Sequence, residues 1–237
     1  MTPSQKKFFG RGLPGVDPAT LRGKLIVIEG SDGSGRTTHI NLLRDWLERS
    51  GYATEEVGLK RSMLVSEELE QAKQGNTLGP ITQSLFYATD FADQLENKIV
   101  PALRSSFIVL ADRYIYTMMA RAIVRRLDDE WIKQIYSIAL IPDAVFYLEV
   151  PPKVLAERIY RKNQLLDYWE SGMDILRGGD MYTNFIKYQR MMVTEFKKMQ
   201  KIYGFDVING NRAPKLVSKD LQAKIAGILG NGAELTP

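Results

Sequence analysis

Leu25, Ile26, Val27 and Ile28 form an unbroken apolar, β-branched run, the pattern of a strand buried on both faces. After it the period changes, and from His39 to Leu47 the apolar residues recur at helical spacing, which predicts a helix ending near Arg49 at Ser50-Gly51. Four further short apolar stretches, 52–57, 107–110, 144–150 and 205–208, predict strands. Between and after them, helices are expected over 63–74, 80–103, 114–126, 128–140, 151–161, 180–203 and 215–229. Ile81, Leu85, Phe91, Leu95 and Ile99 repeat along the 80–103 stretch as core positions. Parallel strands need crossovers and the helices supply them, so the alternation predicts an α/β fold: a five-stranded parallel sheet with helices on both faces.

The flanks read differently. Residues 1–23 carry Pro3, Gly10, Gly12, Pro14, Gly15 and Pro18 without periodicity, which predicts an extension laid over a domain spanning 24–230, with 231–237 as a tail. Residues 163–179 also lose periodicity and hold Gly172, Gly178 and Gly179, so a mobile lid is expected over about 158–180.

The junction between the first strand and helix carries the chemistry. Gly30, four residues, Gly35, Arg36 and Thr37 match the phosphate-binding pattern G-x-x-x-x-G-K-[ST] except that arginine stands for lysine. Glycines let main-chain N–H groups approach phosphates, and the helix N-terminus adds partial positive charge. The candidate nucleotide-binding residues are therefore Gly30, Ser31, Asp32, Gly33, Ser34, Gly35, Arg36, Thr37 and Thr38. A guanidinium is longer and planar where an ammonium is a compact charge, so Arg36 keeps the cation and changes its shape. Lys60 and Arg61 follow the second strand, and Asp112 and Arg113 end the third, where open α/β sheets place ligands.

Composition narrows the chemistry. The 237 residues include no cysteine and one histidine, which argues against disulfides, thiolate metal sites and a serine–histidine triad. No apolar run approaches the roughly 20 residues needed to span a bilayer, and MTPSQKKFFGRG lacks a signal-peptide core, so a cytoplasmic protein without a membrane partner is expected. The net charge of +4 is spread through helices, which suits a cleft for a small polyanion better than nucleic acid.

With these segments in hand, the chain resembles the thymidylate kinases over about residues 24–210. IEGSDGSGRTT (28–38), SLFYATDFADQ (84–94), ADRY (111–114) and PDAVFYLEVPP (142–152) carry the resemblance. It implies a P-loop kinase fold moving phosphate from ATP to dTMP, with Mg²⁺, in a homodimer. It also implies roles: Arg36 on the donor phosphates, Thr37 and Asp112 at the metal, and Arg113 clamping from the acceptor side. Asp32 would meet the deoxyribose 3′-hydroxyl, Tyr87 would stack on the base, and Phe91, Gln94, Lys60 and Arg61 would line the acceptor site. Arg158, Arg161 and Lys162, just before the lid, are candidates for neutralising the transition state.

Four departures from the family's pattern stand out. Phe91 stands where the family has an arginine, Leu59 to Met63 replaces Arg-Glu-Pro-Gly-Gly, Met118, Met119 and Arg121 add bulk near the sugar, and Arg36 replaces the loop lysine. Two other readings therefore stay open: a kinase of this fold with a different small acceptor, and a nucleotide-binding protein with weak catalysis.

Overall fold

The five expected strands form one parallel sheet in a computed structural model that describes residues 6–76, 78–162 and 164–230. Residues 1–5 of the expected extension, position 163 of the expected lid and the expected tail 231–237 lie outside the described residues. The strands are β1 (Lys24–Glu29), β2 (Thr54–Gly58), β3 (Ile108–Asp112), β4 (Ala144–Glu149) and β5 (Asp206–Asn209), in the order β2-β3-β1-β4-β5. The helices are α1 (Arg36–Arg49), α2 (Ser66–Gln74), α3 (Pro80–Gln94), α4 (Val100–Arg104), α5 (Ile115–Val124), α6 (Asp129–Ile135), α7 (Pro152–Arg161), α8 (Met181–Tyr203) and α9 (Pro214–Leu229).

Alternate residues of the buried strands serve opposite faces. Leu25 and Val27 join a core with residues of α3, α5 and α8, whereas Ile26 and Ile28 join one with residues of α1 and α9. Register then gathers the chemistry at one edge. Ile28 of β1 and Gly58 of β2 both sit opposite Asp112 of β3, so the phosphate loop, the Leu59–Met63 loop and the Asp112-Arg113 turn leave the sheet side by side. This is the carboxyl edge, where such sheets bind ligands.

Several elements differ from expectation. The single helix expected over 80–103 is α3, a wide π turn at Leu95–Ile99, and α4. Pro101 has no N–H for the helical ladder, and the wider turn accommodates it. Ile81 and Leu85, expected in the core, are 55% and 47% exposed on α3. The expected 128–140 helix stops after Ile135, continues as a single 3₁₀ turn, and releases Leu140 to bridge Phe8. The described part of residues 1–23 is tied down: Lys6 pairs with Asp143, Leu21 is buried, and Phe8, Phe9 and Leu13 pack on the core.

Candidate active site

The strand-to-helix turn has the build of a phosphate cradle. At Gly33, with φ +80°, an added Cβ would lie 2.9 Å from the Leu155 carbonyl, so only glycine fits between the loop and α7. Within the loop, Ser34 donates its N–H to the Ser31 carbonyl at 3.1 Å. Among the described residues, the amides of Asp32, Gly33 and Gly35 have no protein acceptor, which leaves them for an anion. A cavity of about 660 Å³ opens beside them, lined by Gly33, Gly35, Arg36, Thr37, Thr38 and Lys162 among others. These residues fit the phosphates of a nucleotide.

Arg36 turns back across this loop. Its guanidinium donates to the Gly30 and Ser31 carbonyls, reaches Ser34 Oγ at 3.3 Å and Asp32 at 3.3 Å, and pairs through Nε with Asp112 at 2.7 Å. A lysine ammonium could not span that set, because it concentrates its donors on one atom. Thr37 donates its hydroxyl to the other Asp112 oxygen at 2.9 Å. Burial alone would raise the Asp112 carboxyl, but Arg36, Arg113 and the Thr37 hydroxyl outweigh it and hold the group below the usual carboxylate range. Among the described residues no three His, Asp or Glu side chains gather as a metal cage. The hard oxygens of Thr37 and Asp112 instead suit a magnesium ion that takes most of its ligands from phosphate and water.

Arg113 is buried, with φ +72°, and pairs with Asp32 and, at 3.6 Å, with Glu170. That left-handed backbone is strained for arginine, and Glu29 holds the turn in place. Glu29 is fully buried at the end of β1, accepting from the N–H groups of Tyr114 at 3.0 Å and Thr117 at 3.2 Å and from the Thr117 hydroxyl. It thereby satisfies the free amides at the start of α5.

Across Arg36 lies a second cavity of about 250 Å³, lined by Asp32, Lys60, Arg61, Lys73, Tyr87, Asp112, Arg113, Arg121 and Glu170. Lys60 and Arg61 reach it while pairing with Glu70 at 2.6 Å and Glu56 at 3.2 Å. Their loop hangs from α3: Asp90 accepts the N–H groups of Lys60 and Ser62, and Gln94 bonds both the N–H and the carbonyl of Gly58. Gln94 thus shapes the loop without lining this cavity. Phe91 lies behind it, edge-on to Tyr114 and Tyr136 at 5.3 and 5.9 Å. Tyr87 does line it, and the cations Arg121, Lys73, Lys60 and Arg113 outweigh the effect of burial to lower its phenol below the ordinary value.

Of the three cations before the expected lid, Arg158 donates to the Gly210 carbonyl at 3.0 Å and lies 3.4 Å from the Gly33 and Ser34 carbonyls. Lys162 lines the donor cavity, and Arg161 stands exposed on α7 outside both cavities. The 164–180 segment is irregular but packed against the body: Trp169, Glu170 and Ser171 are buried, and the Trp169 indole donates to the Lys73 carbonyl at 3.1 Å. Glu29, Lys73, Asp90 and Glu170 escaped the sequence reading. Only Glu29 left a signal there, a carboxylate directly after the apolar run Leu25 to Ile28.

The family model for thymidylate kinase matches residues 28–202. A probable thymidylate kinase 2 of Saccharolobus solfataricus is 41% identical over 213 residues, covering 89% of this chain and 97% of that protein. A probable thymidylate kinase of Pyrococcus horikoshii is 33% identical over 156 residues, 62% of this chain and 75% of that protein. One of Pyrococcus abyssi is 28% identical over 214 residues, 86% of this chain and 97% of that protein.

Proposed function

The chain belongs to the thymidylate kinase family, whose members are ATP-dependent phosphotransferases, and we propose that it moves the γ-phosphate of ATP to dTMP with Arg36 as the loop cation. One observation carries the assignment of sites. The two cavities share Asp32, Arg36, Asp167 and Glu170 as common walls, so a donor held in one faces an acceptor held in the other across the Arg36 guanidinium. Phosphoryl transfer is mostly positioning and charge neutralisation, and a shared cationic wall supplies both.

In this reading the loop amides and Arg36 hold the donor phosphates, while Arg113, Lys60 and Arg61 face the acceptor phosphate. Asp32 orients the sugar and Tyr87 offers its ring to the base. Thr37 and Asp112 would hold Mg²⁺, which when bound supplies charge neutralisation across the β- and γ-phosphates. Arg36 and Asp112 now satisfy each other, so an Arg36 turned toward the donor phosphates would leave the Asp112 carboxylate open to the metal side. Arg158 is held against the loop carbonyls and serves the donor side, with Lys162 at the mouth of the same cavity and Arg161 available only through movement.

Exposed Ile81 and Leu85 on α3 support a homodimer built on that helix. Among the described residues no helix is long and apolar enough to cross a membrane. The test of function is phosphotransfer from Mg-ATP to a panel of nucleoside monophosphates, read as acceptor phosphorylation. dTMP is expected to give the highest kcat/KM; a higher value on another acceptor, or ATP binding without any transfer, overturns the reading.

A further inference from the structure

Two arginines at the C-terminal end of α5 reach the same irregular segment in different ways. Arg125, one residue past the helix, is saturated: its fork holds Asp174 at 2.7 and 3.1 Å, and further donors meet the Trp169 carbonyl at 3.1 Å and the Tyr188 hydroxyl at 2.8 Å. It fastens the 164–180 segment to the body. Arg121, a turn earlier and equally buried, has spare capacity. One terminal nitrogen meets the Glu170 carboxylate, the other lies 3.2 Å from the Tyr87 hydroxyl, and among the described residues Nε has no partner.

Arg113 shares both features: it faces the same Glu170 oxygen, at 3.6 Å, and its Nε is also buried without a partner. Two buried guanidiniums converging on one oxygen repel each other unless an anion stands between them. Burial and the Arg113 charge together push Arg121 below its ordinary value. Glu170 is the anion here, and of the two carboxylates that pair with these arginines, Asp32 and Glu170, it is the one free to leave. Asp32 belongs to the phosphate loop and Asp112 ends β3, whereas Glu170 stands in an irregular turn. Its main chain is fixed, since Gln189 donates to the Glu170 carbonyl at 2.9 Å, so a side-chain rotation suffices to vacate the position.

We propose that Arg121 is a further phosphate-holding arginine of the acceptor site, paired with Arg113, and that the Glu170 carboxylate occupies its anion position until the acceptor's phosphate replaces it. A phosphate presents three oxygens to donors that Glu170 leaves partly unused, and a charge-assisted pair of this kind is among the stronger hydrogen bonds. The inference rests on the acceptor being a nucleoside monophosphate.

Calorimetric titration of the full chain with dTMP and with thymidine, which has the same base and sugar but no phosphate, isolates the phosphate contribution. Arg121→Met is expected to cut the preference for dTMP over thymidine by about 10- to 100-fold, with thymidine binding unchanged. Arg121→Lys, which keeps the charge and the fold, should fall between. Glu170→Gln should bind dTMP several-fold tighter than wild type, because a neutral amide competes less for the two arginines. Equal loss of dTMP and thymidine binding in Arg121→Met would place Arg121 on the base or sugar and overturn the proposal. So would an unchanged preference, or weaker dTMP binding in Glu170→Gln. Wild type that binds no dTMP overturns the acceptor reading itself and this inference with it.

Discussion

The pair Arg36–Asp112 ties the phosphate loop to β3, and its strength is measurable by a double-mutant cycle. The contact is 2.7 Å, and the two side chains are 9% and 11% exposed, so solvent screens it little. Arg36→Met removes the guanidinium and leaves the Asp112 carboxylate with the Thr37 hydroxyl and the more distant Arg113 charge. Leaving a buried charge without its partner costs about 3–5 kcal/mol, which at about 2–4 °C per kcal/mol for a chain of this size lowers Tm by about 6–20 °C. Asp112→Asn alone costs less, about 1–3 kcal/mol, because Arg36 keeps Asp32 and two carbonyls. The double variant removes both charges and should lose less than the sum of the singles, with a coupling of about 1.5 kcal/mol or more. Urea unfolding of the four proteins at neutral pH gives the cycle. The sign with pH follows from the direction of the shift. Asp112 titrates lower folded than unfolded, so its contribution is complete above the ordinary carboxylate value of 3.8 and is lost as pH falls through the folded value. Wild type and Arg36→Met should therefore draw closer in stability on the acid side, leaving only what the Gly30 and Ser31 carbonyl contacts of Arg36 contribute. Additivity within about 0.5 kcal/mol, or a stability difference that does not shrink in acid, would refute the clasp.

Two further outcomes follow from the same site. Tyr87→Leu should raise KM for dTMP by about 10- to 100-fold with little change in kcat, since stacking is worth about 1–3 kcal/mol per base and acts on ground and transition states alike; steady-state kinetics decide it, and an unchanged KM removes Tyr87 from the base site. Glu29→Ala strands the Tyr114 and Thr117 amides and the Thr117 hydroxyl, at about 1–3 kcal/mol each, so a total loss below about 1 kcal/mol in urea unfolding would contradict its capping role.

What the sequence disclosed and what it withheld divide along physical lines. Strands buried on both faces, helices of regular period and a glycine loop between them are local patterns, and the parallel sense of the sheet follows from them, whereas the spatial order β2-β3-β1-β4-β5 does not. The candidates Asp32, Arg36 and Thr37 could be read from the glycine-loop pattern and Asp112 and Arg113 from the end of a strand, and the register of β1 with β3 brings the two sets together. Boundaries were harder wherever one residue competes with a period, as Pro101 does inside the 80–103 stretch. Ile81 and Leu85 keep the helical period yet face outward, because periodicity marks an apolar face and does not say what covers it. Asp90, Lys73 and Glu170 look like ordinary surface charges in sequence; their roles arise from contacts 28 residues away for Asp90 with Ser62, and 49 for Glu170 with Arg121.

The departures at Phe91 and Arg121 have to be considered together. Taken singly, Phe91 removes a cation from the acceptor helix and Arg121 adds bulk to its neighbour. In space α3 and α5 pack against each other, Phe91 fills the core between Tyr114 and Tyr136, and the Arg121 guanidinium comes within 5.5 Å of the Tyr87 ring centre. α3 thus brings no cation at position 91, while α5 brings one into the cleft at position 121. A cleft needs its cation at a point in space and is indifferent to which helix delivers it, provided the carrier is packed firmly enough to keep it there. α5 meets that condition: nine of its residues are buried, and Arg125 at its end is held by four side-chain and main-chain partners. An arginine restored at position 91 would therefore be expected to crowd Tyr114 and Tyr136 rather than improve the acceptor site, because the ring contacts that Phe91 makes leave its position without access to the cleft.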